Sequence, residues 1–149
     1  MKSRFALVMA ALLLTAAALS SAVAGDAAKS SVTPAADVKW TAAAFPGVST
    51  AAVEGDMTKG ASHFFLKYDA GLVTPLHHHS ADHYVTVVSG TLALTVDGKE
   101  TTLGPGSFFA LVNKTPHTAR VVGDAPAVML VDARAPWDVV PEAAQAAKK

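Results

Sequence analysis

The residues of this chain best suited to chemistry are imidazoles, and all but one of its six histidines lie between positions 77 and 117. His77, His78, His79 and His83 crowd the stretch that opens at Gly71, and His117 follows after a turn-rich segment. Imidazole is the commonest protein ligand for transition metals. Spacings of two and four residues can set three rings around one point. The pattern reads G-x5-H-x-H-x3-H-x6-G from Gly71 to Gly90, so a metal site is the first chemical hypothesis. Other chemistries find little support. There is no G-x-S-x-G, no H-E-x-x-H and no phosphate-cradling glycine loop, and no carboxylate pair is marked out for glycoside hydrolysis. Cysteine is absent, which removes thiolate ligands, cysteine nucleophiles and disulfides together.

Strands must position these rings. Ser62 to Tyr68 is an aromatic-rich strand ended by Asp69-Ala70-Gly71, and Tyr84 to Ser89 is β-branched up to the turn at Gly90. Leu92, Leu94 and Val96 alternate with Ala93 and Thr95, the period of a half-buried strand. Asp97-Gly98 follows at once, a two-residue hairpin signal because both positions favour positive φ. The return strand runs Lys99 to Leu103. Further strands are expected over Ser107 to Val112, His117 to Val122 and Ala127 to Val131, separated by Gly/Pro/Asn turns. Short strands at even spacing argue for an antiparallel barrel or sandwich. A terminal helix is expected only around Glu142 to Lys149.

On such strands His77 and His79 project to one side and His78 to the other. A turn then brings His83 onto the neighbouring strand, sharing a face with Val85 and Val87. His117 opens a later strand with Ala119 and Val121 on its face. His78 is assigned to the exterior or rim, His63 to the surface or core, and Asp82 to a solvated turn. The pairs Phe64-Phe65 and Phe108-Phe109 each put one ring on either side of a sheet. Trp40 and Trp137 are read as sealing the barrel, and Tyr84 as facing away from the site.

The ends of the chain carry different signals. Lys2 and Arg4 precede an uncharged apolar run from Phe5 to Leu19, and Ala22-Val23-Ala24 offers a small-x-small cleavage pattern. Residues 1–24 are therefore read as a signal peptide, which places the product in a periplasm or outside the cell. Residues 25–38 read as a flexible linker, 39–140 as the folded domain and 141–149 as a tail. Removing the signal takes two of the twelve basic residues and leaves a slightly acidic protein. No basic patch points to nucleic acid, and no polybasic stretch would hold a membrane after cleavage.

With these residues in place the chain resembles the cupin superfamily. Gly71, His77, His79 and Gly90 match its first motif, G-x5-H-x-H-x3-4-E-x6-G, with His83 at the glutamate position. Gly106 and His117 match the second, G-x5-P-x-G-x2-H-x3-N, where Val112, Lys114 and Val121 replace its proline, glycine and asparagine. The resemblance covers about Trp40 to Val140 and is similar to that of small single-domain bacterial cupins. It implies an all-β, cupin-type jelly-roll β-barrel (an antiparallel double-stranded β-helix). One divalent ion (Fe2+, Mn2+, Ni2+ or Zn2+) would be held inside by His77, His79, His83 and His117. It also implies a small-molecule ligand or substrate, and the option of a homodimer that covers strand edges.

The exchange of glutamate for His83 has an electrostatic consequence. Three imidazoles and a carboxylate leave a divalent ion about one net positive charge, whereas four neutral imidazoles leave about two. Two functions follow from the resemblance. One is a metal-dependent oxygenase or isomerase acting on an enolisable or oxygenated compound, with two of six coordination positions open. The other is a non-catalytic zinc or small-ligand module or sensor, because four histidines can fill zinc's coordination by themselves.

Overall fold

The computed structural model describes residues 30–143. The signal peptide assigned to residues 1–24, the first part of the linker and the tail beyond Ala143 lie outside the described residues. The described residues from Val32 onward form one compact unit. Residues 30–38 are exposed apart from the half-buried Val38 and contain a single 3-10 turn at Ala35–Asp37.

Eleven strands follow among the described residues: β1 Thr41–Ala42, β2 Val48–Gly55, β3 Ser62–Tyr68, β4 His77–His78, β5 His83–Ser89, β6 Leu92–Val96, β7 Lys99–Leu103, β8 Phe108–Leu111, β9 His117–Val121, β10 Ala127–Ala133 and β11 Val140–Pro141. They form two sheets, ordered β1-β2-β3-β10-β5-β8 and β11-β4-β9-β6-β7. Every pairing is antiparallel. This is the jelly-roll architecture expected from the sequence.

Alternation drives the packing. In β3 the inward set is Ser62, Phe64, Leu66 and Tyr68, all buried, with His63, Phe65 and Lys67 on the other face. Strand β10 repeats the pattern with Ala127, Met129, Val131 and Ala133, which oppose Tyr68, Leu66, Phe64 and Ser62 in register. Phe64, Leu92, Met129, Val87 and Val131 are sealed from solvent. A core of this kind, with most inward positions filled by Val, Leu, Met or Phe, is the main stabilising term in a chain without disulfides.

Turn chemistry sets the register. Asp97 and Gly98 take φ of 52° and 76°, the two positive values of a type I′ turn between β6 and β7. Gly90 must be glycine for two reasons. Its φ is +73°, and a Cβ there would sit 2.3 Å from the carbonyl oxygen of Pro126.

Two features depart from the sequence reading. Strand β2 spans eight residues and is not marked in the sequence, because its β-branched Val48 and Thr50 fall out of phase with Val53, where the register shifts between Ala52 and Glu54. Its pairing with the strongly marked β3 orders it. Trp40 does not seal the interior: it is 39% exposed and packs on Phe65, with the Lys67 ammonium 4.5 Å from its ring centre. Phe65 faces outward, so Trp40 covers the outer surface of the sheet.

Candidate metal centre

The four singled-out histidines come from both sheets and the connection between them. His77 in β4 is paired directly with His117 in β9. His83 begins β5 in the other sheet, opposite Leu111 and Ala133. His79 lies in the turn that carries the chain from β4 to β5. The approach to β4 is unusual. Val121 N–H donates to Leu72 O and Thr74 N–H to Ala119 O, so residues 72–74 already run along β9. Pro75 then interrupts the ladder, and the Thr74 hydroxyl fills the gap by accepting the Ala119 N–H at 2.8 Å. Pairing resumes at His77.

All four rings are buried, with exposures between 3% and 5%. The ligand nitrogens of His77, His79 and His117 lie within 4.8 Å of one another. His83 stands beside this triplet rather than within that limit. Its ring centre is 4.7 Å from that of His79 and 6.2 Å from that of His117. A void of about 20 Å³, room for one water-sized particle, is bordered by His79, His83 and His117.

The hydrogen bonds fix which nitrogen faces that space. His77, His83 and His117 each place Nδ1 against the carbonyl two residues earlier: Pro75 at 2.8 Å, Ala81 at 3.0 Å and Thr115 at 2.9 Å. His79 Nδ1 meets the carbonyl of Asp138. A carbonyl only accepts, so every Nδ1 must carry a proton, and in the neutral ring Nε2 then holds a free lone pair. None of the four Nε2 atoms makes a hydrogen bond among the described residues. Free Nε2 lone pairs on rings whose Nδ1 is anchored to backbone match the demands of a metal centre, and His77, His79 and His117 lie close enough to share one ion.

Electrostatics favours the same state. Burial pushes His79 down to about 3 and His117 down to about 4, against backbone hydrogen bonds that work the other way. Burial also lowers His77 and His83. The rings are neutral at physiological pH, the form that binds a cation.

The remaining sequence assignments resolve as follows. His78 points away, with Nδ1 2.6 Å from Glu142 Oε1. His63 is on the outer face with Glu54 at 2.8 Å. Asp82 is a turn residue with a structural task, since its carboxylate accepts the Asn113 amide at 2.8 Å. Tyr84 faces outward, stacked on Phe108 and covered by Arg134.

Sequence reasoning missed three contributors. Trp137 stacks on His79 with ring centres 3.9 Å apart and meets His83 edge-on at 5.0 Å. Asp138 supplies the carbonyl that orients His79, and its carboxylate accepts the Ser80 amide at 2.7 Å. Burial alone would raise this carboxyl, but hydrogen bonding to Ser80, from its side chain and its amide, holds it below the usual range. Tyr68 points inward from β3 and borders both the small void and a larger cavity of about 530 Å³ that reaches His77 and His79.

Comparison with known proteins agrees with this architecture. Residues 64–131 match the family described as Cupin domain. KdgF from Halomonas sp. superposes with a TM-score of 0.59 at 23% identity, over 71% of this chain and 94% of that one. The polyketide cyclase RemF from Streptomyces resistomycificus gives a TM-score of 0.64 at 20% identity, over 76% and 85%. A recombinant oxalate oxidase in complex with glycolate gives 0.55 at 19% identity, over 69% and 59%. Identities this low speak for a common fold. No curated protein matches the chain in sequence.

Proposed function

From the premise that this chain carries a cupin domain, we propose that it is a metal-dependent enzyme acting on a small enolisable or oxygenated compound, as an oxygenase or an isomerase. The observation that carries the reading is the alignment of four imidazoles, each with Nδ1 spent on a backbone carbonyl and Nε2 free, beside a cavity large enough for a substrate. His77, His79, His83 and His117 would hold the ion. A bound Fe2+, Mn2+, Ni2+ or Zn2+ would supply Lewis acidity, and iron or manganese a redox centre as well.

The protein's own part is positioning and exclusion. Trp137 and the carbonyl of Asp138 hold His79 against rotation. Leu66, Val48 and Phe45 line the cavity with apolar surface, which strengthens electrostatic interactions inside it. Because His83 brings no charge, developing negative charge on a substrate oxygen would meet the full divalent charge. Two of the solved structures that share the fold are named as a cyclase and an oxidase, which is in keeping with catalysis.

A closed, non-catalytic zinc site is the second reading, since four imidazoles satisfy zinc. The cavity against His77 and His79 favours the first. Nitric oxide added to the anaerobic Fe2+-loaded protein distinguishes them. An open site gives the high-spin ferrous-nitrosyl resonance, and an ion closed to any ligand from outside the protein gives none. We place the protein in the periplasm or outside the cell on the strength of residues 1–24 alone.

A further inference from the structure

The larger cavity has a chemical character of its own. Phe45, Val48, Met57, Leu66 and Trp137 make up much of its wall, and no lysine or arginine borders it among the described residues. Its one carboxylate among the described residues, Asp138, is already engaged with the Ser80 amide. A carboxylate- or phosphate-bearing molecule would lose its water here without gaining a cationic protein partner. One polar group stands out. Tyr68 is 8% exposed, and its hydroxyl makes no hydrogen bond among the described residues. The only sealed, partnerless side-chain atom among them is Ser62 Oγ, so the Tyr68 oxygen keeps surface open to the space it borders. Burial pushes this hydroxyl up to about 12, so it stays a proton donor across the physiological range.

We propose that the cavity takes an uncharged molecule with an aromatic or alicyclic body and a carbonyl, enol or phenol oxygen, and that the Tyr68 hydroxyl donates a hydrogen bond to that oxygen. The orientation of this oxygen toward the imidazoles rests on the metal-centre reading; the recognition by the cavity wall does not. Tyr68 is thus a binding residue that selects oxygenated over oxygen-free compounds, while the wall without cationic side chains favours neutral molecules over acids.

The test uses two near-isosteric probes, acetophenone and α-methylstyrene, of which only the first offers an oxygen acceptor, with D-glucuronate as the anionic probe. Binding is read by quenching of Trp137 in the full chain carrying Trp40→Phe, once zinc-loaded and once chelator-treated. Acetophenone should bind in both forms, and Tyr68→Phe should weaken it about fivefold while leaving α-methylstyrene unchanged. Tyr68→Phe should also leave Tm within about 2 °C, because no internal hydrogen bond is lost. The proposal is overturned by any of four results: neither neutral probe binds, Tyr68→Phe moves both probes equally or neither, Tm drops well beyond that range, or D-glucuronate binds the chelator-treated protein more tightly than acetophenone does. If zinc fails to load yet the discrimination between probes persists, the metal reading falls and this one stands. Zinc loading without discrimination gives the reverse.

Discussion

Acid should destabilise the metal-free protein through its buried imidazoles, and the size of the effect can be worked out. In the unfolded chain a histidine titrates near 6.5; in the fold His79 is lowered to about 3 and His117 to about 4. Below pH 6.5 the unfolded state therefore binds protons that the folded state refuses, so stability present above that pH is lost as pH falls toward the folded values. At pH 4.5 the gap for His79 is two units, about 2.7 kcal/mol at 1.36 kcal/mol per unit, and His117 adds a similar amount. The sum, about 5 kcal/mol, rivals the whole stability of a typical domain. Urea unfolding of the chelator-treated protein between pH 7.5 and 4.5 should show the midpoint falling by roughly 3 M. The double variant His79→Gln and His117→Gln should flatten most of that slope. A midpoint that barely moves, or an unaltered slope in the double variant, would refute the assignment of these rings as neutral and buried.

Further consequences are open to direct measurement. Metal uptake at pH 7 should release almost no protons, because the ligand rings are already neutral; calorimetry in buffers of different ionisation enthalpy reads this. Trp137→Ala should remove the stacking that orients His79 and weaken metal binding about 10-fold or more, seen by competition with a chelator of known affinity. His83→Glu should retain a metal but shift its preference, as shown by the elements bound after expression in mixed-metal medium. Gly90→Ala should cost about 2 kcal/mol or more, given positive φ and the 2.3 Å approach to Pro126, visible as a lowered Tm. If residues 1–24 are removed as a signal peptide, as we propose, the intact mass of the protein from its native host should correspond to a chain beginning at Gly25.

Much of this arrangement was legible before any coordinates. The shared face of His83, Val85 and Val87 follows from strand periodicity, and the structure places them accordingly, whereas His79 falls in the turn after β4 rather than on a strand with His77. The Asp97-Gly98 hairpin needs only local backbone preference. Strand β2 does not stand out in the sequence because a register shift between Ala52 and Glu54 breaks the alternation of Val48, Thr50 and Val53, and its pairing with β3 restores the order. Trp137 and Asp138 reach the centre across 59 residues of chain, and no periodicity near His79 announces a partner so remote. The inward face of Tyr68 could be read from its register with Phe64 and Leu66, but the lack of a partner for its hydroxyl could not.

X-ray absorption at the metal edge of protein purified from its native compartment bears most directly on the central claim. Four imidazole ligands, counted by the outer-shell scattering of their rings, with nitrogen near 2.0–2.1 Å and one or two further oxygen ligands, is the expected result. An ion held by fewer than three imidazoles, or protein that carries no stoichiometric metal even after loading, would contradict it.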